Sequence, residues 1–338
     1  MKPFRLAVVG CGTLGQRHAA NAHAHPDAEV VFTFDTDRGK AQALAERVGA
    51  TAAGSLEQIL ASDVDAVVTA VPYTLHHALA TRAMRAGKHV FVEKPMTMDP
   101  GEAQEMVAVQ QETGKVLLVG HILRFYPANV LIKKILDSGE LGRPFNFRYR
   151  AEHHTDITKR PWMASREVGG VIVGGAIHHT DLLSWWGGPV AAVRAYGRTV
   201  MPMYRETGMH DHAVILYEFE SGAVGESCYS LATHSQHLPY DEAMVSCEHG
   251  SVLLKVASGE MHLITEKPVL GYPAGHSRIQ TDNDWSSGLA HEMNGFIDAL
   301  KGHPPRITPR EAQAAVAITL AAKRSAEAGE PGVRMRPS

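Results

Sequence analysis

Phe4-Arg5-Leu6-Ala7-Val8-Val9-Gly10-Cys11-Gly12-Thr13-Leu14-Gly15 is the stretch that decides the fold: a largely apolar run, a Gly-x-Gly-x-x-Gly turn, then a helical segment at 14–24. Glycine at position 10 permits a tight turn out of the strand, Gly12 lets the backbone approach a bound group, and Gly15 lets the helix pack on the sheet. Working outward, short β-branched runs at 30–34, 66–71, 89–92 and 116–119 alternate with amphipathic runs near 38–48, 75–86 and 100–113. That rhythm predicts a parallel sheet covered on both faces. Such a sheet places ligands outside the carboxyl ends of its strands, at the switch point in strand order.

From about Phe145 the rhythm changes. Longer strand-like runs at 145–153, 191–198, 212–219, 222–231, 243–247 and 250–256 are bounded by turn residues such as Glu220-Ser221-Gly222, and successive strands so joined are most easily antiparallel. A helix is expected over 177–186, and two more close the sequence. The last opens with Thr308-Pro309-Arg310-Glu311, where Thr caps, Pro occupies the first turn and Glu returns to the cap; it stops near Ala328-Gly329. A length of 338 residues fits two domains. A short crossing near 120–127 divides them into 1–122 and 123–338.

The net charge of −3, with Lys and Arg dispersed, argues against nucleic acid and anionic membrane as partners. No apolar stretch approaches the roughly twenty residues needed to cross a bilayer. Cys11, Cys228 and Cys247 are odd in number and lack metal-ligand spacing, and Met1-Lys2-Pro3 runs straight into a strand-like segment. A reducing, cytoplasmic setting without signal peptide or disulfide framework is therefore expected. The 20 histidines invite a metal, but neither His-Glu-x-x-His nor Cys-x-x-Cys occurs, and His-His pairs at 76–77, 153–154 and 178–179 are the clusters present. No metal is expected.

A helix that starts at Thr13 and Leu14 directs free N–H groups at phosphates lying over Gly10, Gly12 and Gly15. Twenty residues after Gly15, at the end of the second strand, Asp35 stands where a carboxylate binds the ribose hydroxyls of NAD and repels a 2′-phosphate. Arg38 could turn toward such a phosphate, which keeps NADP open. About eighty residues after the glycine turn, Glu93-Lys94-Pro95 closes the run Lys88-His89-Val90-Phe91-Val92. The lysine falls where a nicotinamide would lie. Alone it could be a solvated lysine after an edge strand; behind the glycine turn, at a strand's carboxyl end, it points to a dehydrogenase.

These elements together resemble the glucose-fructose oxidoreductase, inositol dehydrogenase and rhizopine-catabolism family, Gfo/Idh/MocA. The resemblance covers nearly the whole chain. It is carried by Gly10-Cys11-Gly12-Thr13-Leu14-Gly15, Val71-Pro72-Tyr73-Thr74-Leu75-His76, Ala86-Gly87-Lys88-His89-Val90, Glu93-Lys94-Pro95, Gly120-His121 with Arg124-Phe125, Gly139-Glu140-Leu141-Gly142, and Gly169-Gly170 leading to His178 and Asp181. It implies an α/β fold: an N-terminal Rossmann dinucleotide-binding domain, then a C-terminal α/β domain with a large open, mainly antiparallel sheet for substrate binding and oligomerisation. It also implies hydride exchange between NAD(P) and a hydroxyl-bearing carbon of a sugar, sugar acid or cyclitol.

Oxidising an alcohol requires a base for the hydroxyl proton and a cation for the developing alkoxide; histidine suits the first role and lysine the second. By resemblance Lys94 lies beside the nicotinamide before a cis Pro95, and Glu93, Pro72 and His76 border the cofactor. His178 supplies the acid/base. Read alone, His178 could equally be a hydrogen-bonded core histidine. Arg124, His153 and Trp162 are candidate substrate residues, each with an ordinary surface or core role as its alternative.

Two positions break the family pattern. Inositol-dehydrogenase-like members place an aspartate four residues before the catalytic histidine, where this chain has Gly174; His179 or Asp181 could take over its orienting role. Tyr73 stands where an Asn usually follows the Pro. Two further functions stay open: an enzyme that keeps NAD bound and oxidises only transiently, for elimination or epimerisation, and a non-catalytic dinucleotide and sugar sensor. An open sheet needs cover, so a homodimer or homotetramer through the second domain is expected.

Overall fold

The opening run forms β1 (Phe4–Val9), buried over its last four residues, and Gly10 turns the chain into α1 (Thr13–Ala24). β2 (Ala28–Phe34) passes through Asp37, whose carboxylate accepts from the Gly39 and Lys40 amides, into α2 (Arg38–Val48). A short β3 (Thr51–Ala52) and α3 (Leu56–Ala61) precede β4 (Ala66–Thr69), α4 (His76–Arg85), β5 (His89–Glu93), α5 (Pro100–Thr113) and β6 (Leu117–Gly120). All six strands are parallel, in the order β3-β2-β1-β4-β5-β6. Every residue of β4 and β6 is buried, which is why those strands read as unbroken apolar runs. Strand order reverses between β1 and β4, so their carboxyl ends, with β5 beside them, flank the ligand crevice of such a sheet.

In this computed structural model residues 2–158, 170–234, 240–328 and 333–335 are described. They divide into two compact units, Met1–Phe125 with Trp285–Val316 and Tyr126–Asp284 with Ala317–Ser338. The units therefore interleave along the chain, whereas the sequence suggested contiguous halves, 1–122 and 123–338.

The second unit opens with α6 (Pro127–Ser138), which starts on a proline and stops at Gly139, φ +70°. It continues through β7 (Pro144–Glu152), a π-helical turn (Ile172–Ala176), α7 (Ile177–Gly187), β8 (Val190–Arg198), β9 (His212–Phe219), β10 (Val224–Ser230), β11 (Tyr240–Cys247), β12 (Gly250–Lys255), β13 (Glu260–Thr265) and β14 (Gly275–Gln280). The chain then forms α8 (Trp285–Leu300) in the first unit, α9 (Pro309–Ala328) and a terminal β15 (Val333–Arg334). Among the described residues the second sheet has nine strands, in the order β14-β13-β12-β11-β7-β10-β9-β8-β15. Only β7 and β10 pair in parallel; the other ladders are antiparallel.

Register divides this sheet into two faces. Phe147, Tyr149, Ile215, Tyr217, Ala243, Val245, Leu254 and Leu263 share a buried face. Across it lies α7, whose Thr180 hydroxyl is 3.0 Å from that of Tyr217. Arg148, Leu216, Glu226, Leu253 and His262 share the opposite face. No described helix is long and apolar enough to cross a membrane.

Candidate active site

The glycine turn is fixed by close packing. Gly10 has φ +91° and a Cβ there would stand 2.3 Å from the Ala70 carbonyl oxygen; one at Gly15 would stand 1.8 Å from that of Gly10. Gly12 differs: a Cβ would meet nothing within 4 Å. Its lack of a side chain answers to no neighbour in the protein and leaves open space at the start of α1, where no side chain caps the helix. Gly12 and Thr13 are exposed and Leu14 is half-buried, so the first-turn amides face outward as an anion site requires. Asp35 Oδ2 accepts from the Cys11 amide at 2.8 Å and Oδ1 from the Asp37 amide at 2.9 Å, which holds the carboxylate at the end of β2 beside the turn. These residues fit a dinucleotide: open backbone at the phosphates and a fixed carboxylate one strand away for the ribose.

Glu93 ends β5 and Lys94 follows it, and the Lys94–Pro95 peptide is cis. His18 of α1, fully buried, has Nε2 2.7 Å from Glu93 Oε1, and the Lys94 amide donates to Glu93 Oε2 at 3.2 Å. Burial pushes the Glu93 carboxyl up, but the His18 hydrogen bond and the charges of His18, Lys94 and His76 outweigh it, so Glu93 lies below the usual carboxylate range. Lys94 stays partly accessible. Desolvation lowers its pKa, opposed by the charges of Glu93 and Glu292. His76 is buried with Nδ1 2.8 Å from the Pro95 carbonyl and Nε2 3.0 Å from that of Val71. It ties the segment after β4 to the segment after β5, next to exposed Pro72, and burial depresses its pKa. Arg124 is 1% exposed and directs Nη1 to Glu311 Oε1 at 2.7 Å and to the Arg306 carbonyl at 3.2 Å. This candidate substrate residue thus pairs, inside the first unit, with the N-terminus of α9. There the Thr308 amide donates to Glu311 Oε2 and the Glu311 amide returns to Thr308 Oγ1, the capping box read from the sequence.

In the second unit His178 is the second residue of α7 and partly accessible, while Asp181, one turn on, is buried. A Cβ at Gly175 would lie 2.5 Å from the Tyr229 ring, so glycine is required there, whereas at Gly174 it would meet nothing within 4 Å. His179 turns onto the sheet, its ring 4.2 Å from that of Tyr149 and 5.4 Å from that of Tyr229. Burial and the charge of His153 drive its pKa down to about 3, so at neutral pH His179 is an uncharged packing partner rather than a proton carrier. His153 stands edge-on to Tyr229 at 6.2 Å, its pKa also lowered by burial. The buried face of the sheet therefore brings His153, His179, Tyr149 and Tyr229 together. Asp241, on the same face of β11, is pushed up to about 7 by burial. Trp162 lies outside the described residues.

Residues 4–121 match the oxidoreductase family with an NAD-binding Rossmann fold, Gfo/Idh/MocA, and residues 130–253 match the C-terminal domain of the same family. The chain belongs to the Gfo/Idh/MocA family. It is thereby an NAD-dependent oxidoreductase with a Rossmann domain and a second, mainly antiparallel sheet domain. Over 227 residues, 66% of each chain, it is 31% identical to scyllo-inositol 2-dehydrogenase (NAD(+)) of Bacillus subtilis. Over 339 residues it is 27% identical to 1,5-anhydro-D-fructose reductase of Ensifer adhaerens, covering 96% of this chain and 97% of that one. In structure it superimposes on GenD2 from gentamicin A biosynthesis, solved in complex with NAD, with TM-score 0.84 and 28% identity, covering 100% of this chain and 97% of that one.

Three groups of this Gfo/Idh/MocA chain escaped motif reading: His18, Asp241 and Glu292. The two acids carried a signal. Asp241 stands in the alternation that places Ala243, Val245 and Cys247 on the buried face, and Glu292 stands one turn from buried Leu289 and Phe296 on α8. A charge on an apolar stripe marks a site more sharply than a charge on a solvated face.

Proposed function

We propose that the chain transfers a hydride between NAD and a hydroxyl-bearing carbon of a cyclitol, sugar or sugar acid. Lys94 is the electrostatic group and His178 the acid/base. The observation that supports this best is the end of β5. A lysine is held there at its amide by a buried carboxylate and desolvated, yet kept partly open, in the sheet whose switch point carries the glycine turn and Asp35.

When bound, the nicotinamide supplies the hydride acceptor. Gly10, Gly12, Gly15 and the first amides of α1, from Thr13 and Leu14, would hold the pyrophosphate, and Asp35 the adenosine ribose; a 2′-phosphate there would meet that carboxylate, which favours NAD over NADP. Pro72, with His76 behind it, and Glu93, through the backbone of Lys94, shape the cofactor side. The Lys94 ammonium stabilises the oxygen of the reacting carbon as it gains negative charge. His178 takes the hydroxyl proton in oxidation and returns it in reduction. His153 and Asp181 are the second unit's candidates for substrate hydroxyls, and His179 backs them through Tyr149 and Tyr229. The B. subtilis and E. adhaerens relatives, named for a cyclitol and an anhydrosugar, support a polyhydroxylated substrate. Three free, buried cysteines fit a reducing cytoplasm. The half-exposed face of the second sheet fits a homodimer or homotetramer.

The test is turnover. Mixed with NAD and a panel of inositols, sugars, sugar acids and aromatic dihydrodiols, the protein should generate reduced nicotinamide with at least one class. Lys94→Ala should lower kcat by about 10²–10³-fold. Gly174 favours one rival, a sensor that binds without turnover, because the family carboxylate is missing. Cofactor binding with no turnover in either direction, with NAD or NADP, would establish that rival or the tightly bound-NAD reading in its place.

A further inference from the structure

We propose that Glu292, on α8, controls the protonation of Lys94 and is thereby a positioning residue for the reaction; its catalytic meaning rests on the role assigned to Lys94 above. Glu292 is 0% exposed, on the helix face that also buries Leu289, Met293 and Phe296. Neither carboxyl oxygen has a hydrogen-bond partner among the described residues. An acid so placed must either keep its proton or face a cation.

Its surroundings decide which. The ligand-type atoms of Glu292, Glu93 and His18 lie within 4.8 Å of one another. Glu93 receives the His18 ring at 2.7 Å and the Lys94 amide at 3.2 Å, whereas Glu292 receives no such donor. Of two carboxyls this close, Glu93 holds the negative charge and Glu292 the proton. Burial, and then the charge of Glu93, accordingly raise Glu292 far above an ordinary carboxylate. His18 and Glu93 are joined directly as donor and acceptor, and the cation among these groups is Lys94, whose charge interacts with both acids. Among the described residues, His76 of α4 also interacts with Glu93 and Lys94, and buried His121 follows Gly120 at the end of β6. Room for the acid comes from Gly120, where a Cβ would stand 3.3 Å from Glu292 Oε1 and 3.0 Å from the Phe91 ring.

In the neutral cluster Glu93 is ionised, Lys94 is protonated and Glu292 is protonated. As pH rises one proton leaves. If it leaves Glu292, the new carboxylate holds the Lys94 ammonium in its charged form. If Glu292 cannot ionise, the proton must leave Nζ itself. Glu292 is thus a buried proton reservoir that favours the charged form of Lys94 against the desolvation that opposes it.

The test uses the intact chain without substrate, its lysines labelled with 13C at Cε and the Lys94 signal assigned by its loss in Lys94→Arg. Glu292→Gln should lower the Lys94 titration midpoint by about one pH unit, tenfold in proton affinity. Glu292→Asp, which withdraws the carboxyl by one methylene, should lower it by less. An unchanged midpoint in folded Glu292→Gln, or in Glu292→Asp should the glutamine variant not fold, overturns the proposal and leaves Glu292 a packing residue. This readout needs no turnover, so failure of the dehydrogenase assignment leaves it standing. With turnover, the alkaline limb of kcat should move down in pH together with the midpoint while KM is unchanged; a uniform loss of kcat at every pH would mark a structural role instead.

Discussion

At the scale of single residues, Asp241 makes the sharpest thermodynamic prediction. It pairs with Ala151 on the buried face of β11, burial moves its pKa from 3.8 to about 7, and its Oδ1 has no hydrogen-bond partner among the described residues. The folded chain keeps this proton between those two pH values while the unfolded chain has lost it, so the group's contribution is fully present below pH 3.8 and lost as pH rises through 7. Asp241→Asn removes that loss. Thermal melts should show the variant gaining on the parent from pH 4 to pH 7 and holding its lead above, by at most about 4 kcal/mol; a pH-independent difference would show that Asp241 is not a buried acid. Motif residues such as Lys94 and Asp35 were legible because chain order alone sets them at strand ends. Asp241 and Glu292 were not, because their meaning comes from the side chains around them. For the same reason the pairing of Arg124 with Glu311, 187 residues away, could not be read from the sequence.

At the scale of elements, the β1–α1 turn separates glycines needed by the fold from the one left for a ligand. Gly15→Ala drives a Cβ to 1.8 Å from the Gly10 oxygen and should cost about 2–3 kcal/mol of stability through forced backbone movement. Gly12→Ala meets no protein atom within 4 Å, and its φ of −72° suits any residue. Its melting temperature should match the parent while calorimetry shows NAD affinity reduced tenfold or more. Equal melting losses in both variants would sink the distinction. Strands β4 and β6 were legible because every residue is buried, and β1, β2 and β5 because they are rich in β-branched and aromatic residues. Among the elements that escaped, β13 and α6 carry an ordinary buried face, and three others carry little pattern. β3 has two residues, α3 has six, and β14 has no buried residue. The π-helical turn before His178 contains Gly175, which packs against the Tyr229 ring, a contact invisible along the chain.

At the scale of the whole molecule, the open face of the second sheet remains to be covered. Register places Tyr196 and Leu216, then Val224, Leu253 and Ile264, on one face across five strands, and they are 46, 41, 51, 38 and 51% exposed respectively. Charges are interspersed on the face, some of them paired within it, Arg148 with Glu226 and Arg278 with Glu260. A broad surface of exposed apolar side chains suits a second copy of the same chain, meeting face to face about a two-fold axis. The protein should therefore sediment as a dimer or tetramer. Leu253→Glu with Ile264→Glu, which brings like charges into the interface and leaves them nothing to pair with, should dissociate it toward monomer. Because both positions lie in the second unit and remote in sequence from the glycine turn, NAD affinity should be unchanged in the dissociated protein. A parent that sediments as monomer at every concentration, or an assembly indifferent to both glutamates, would assign this face to solvent.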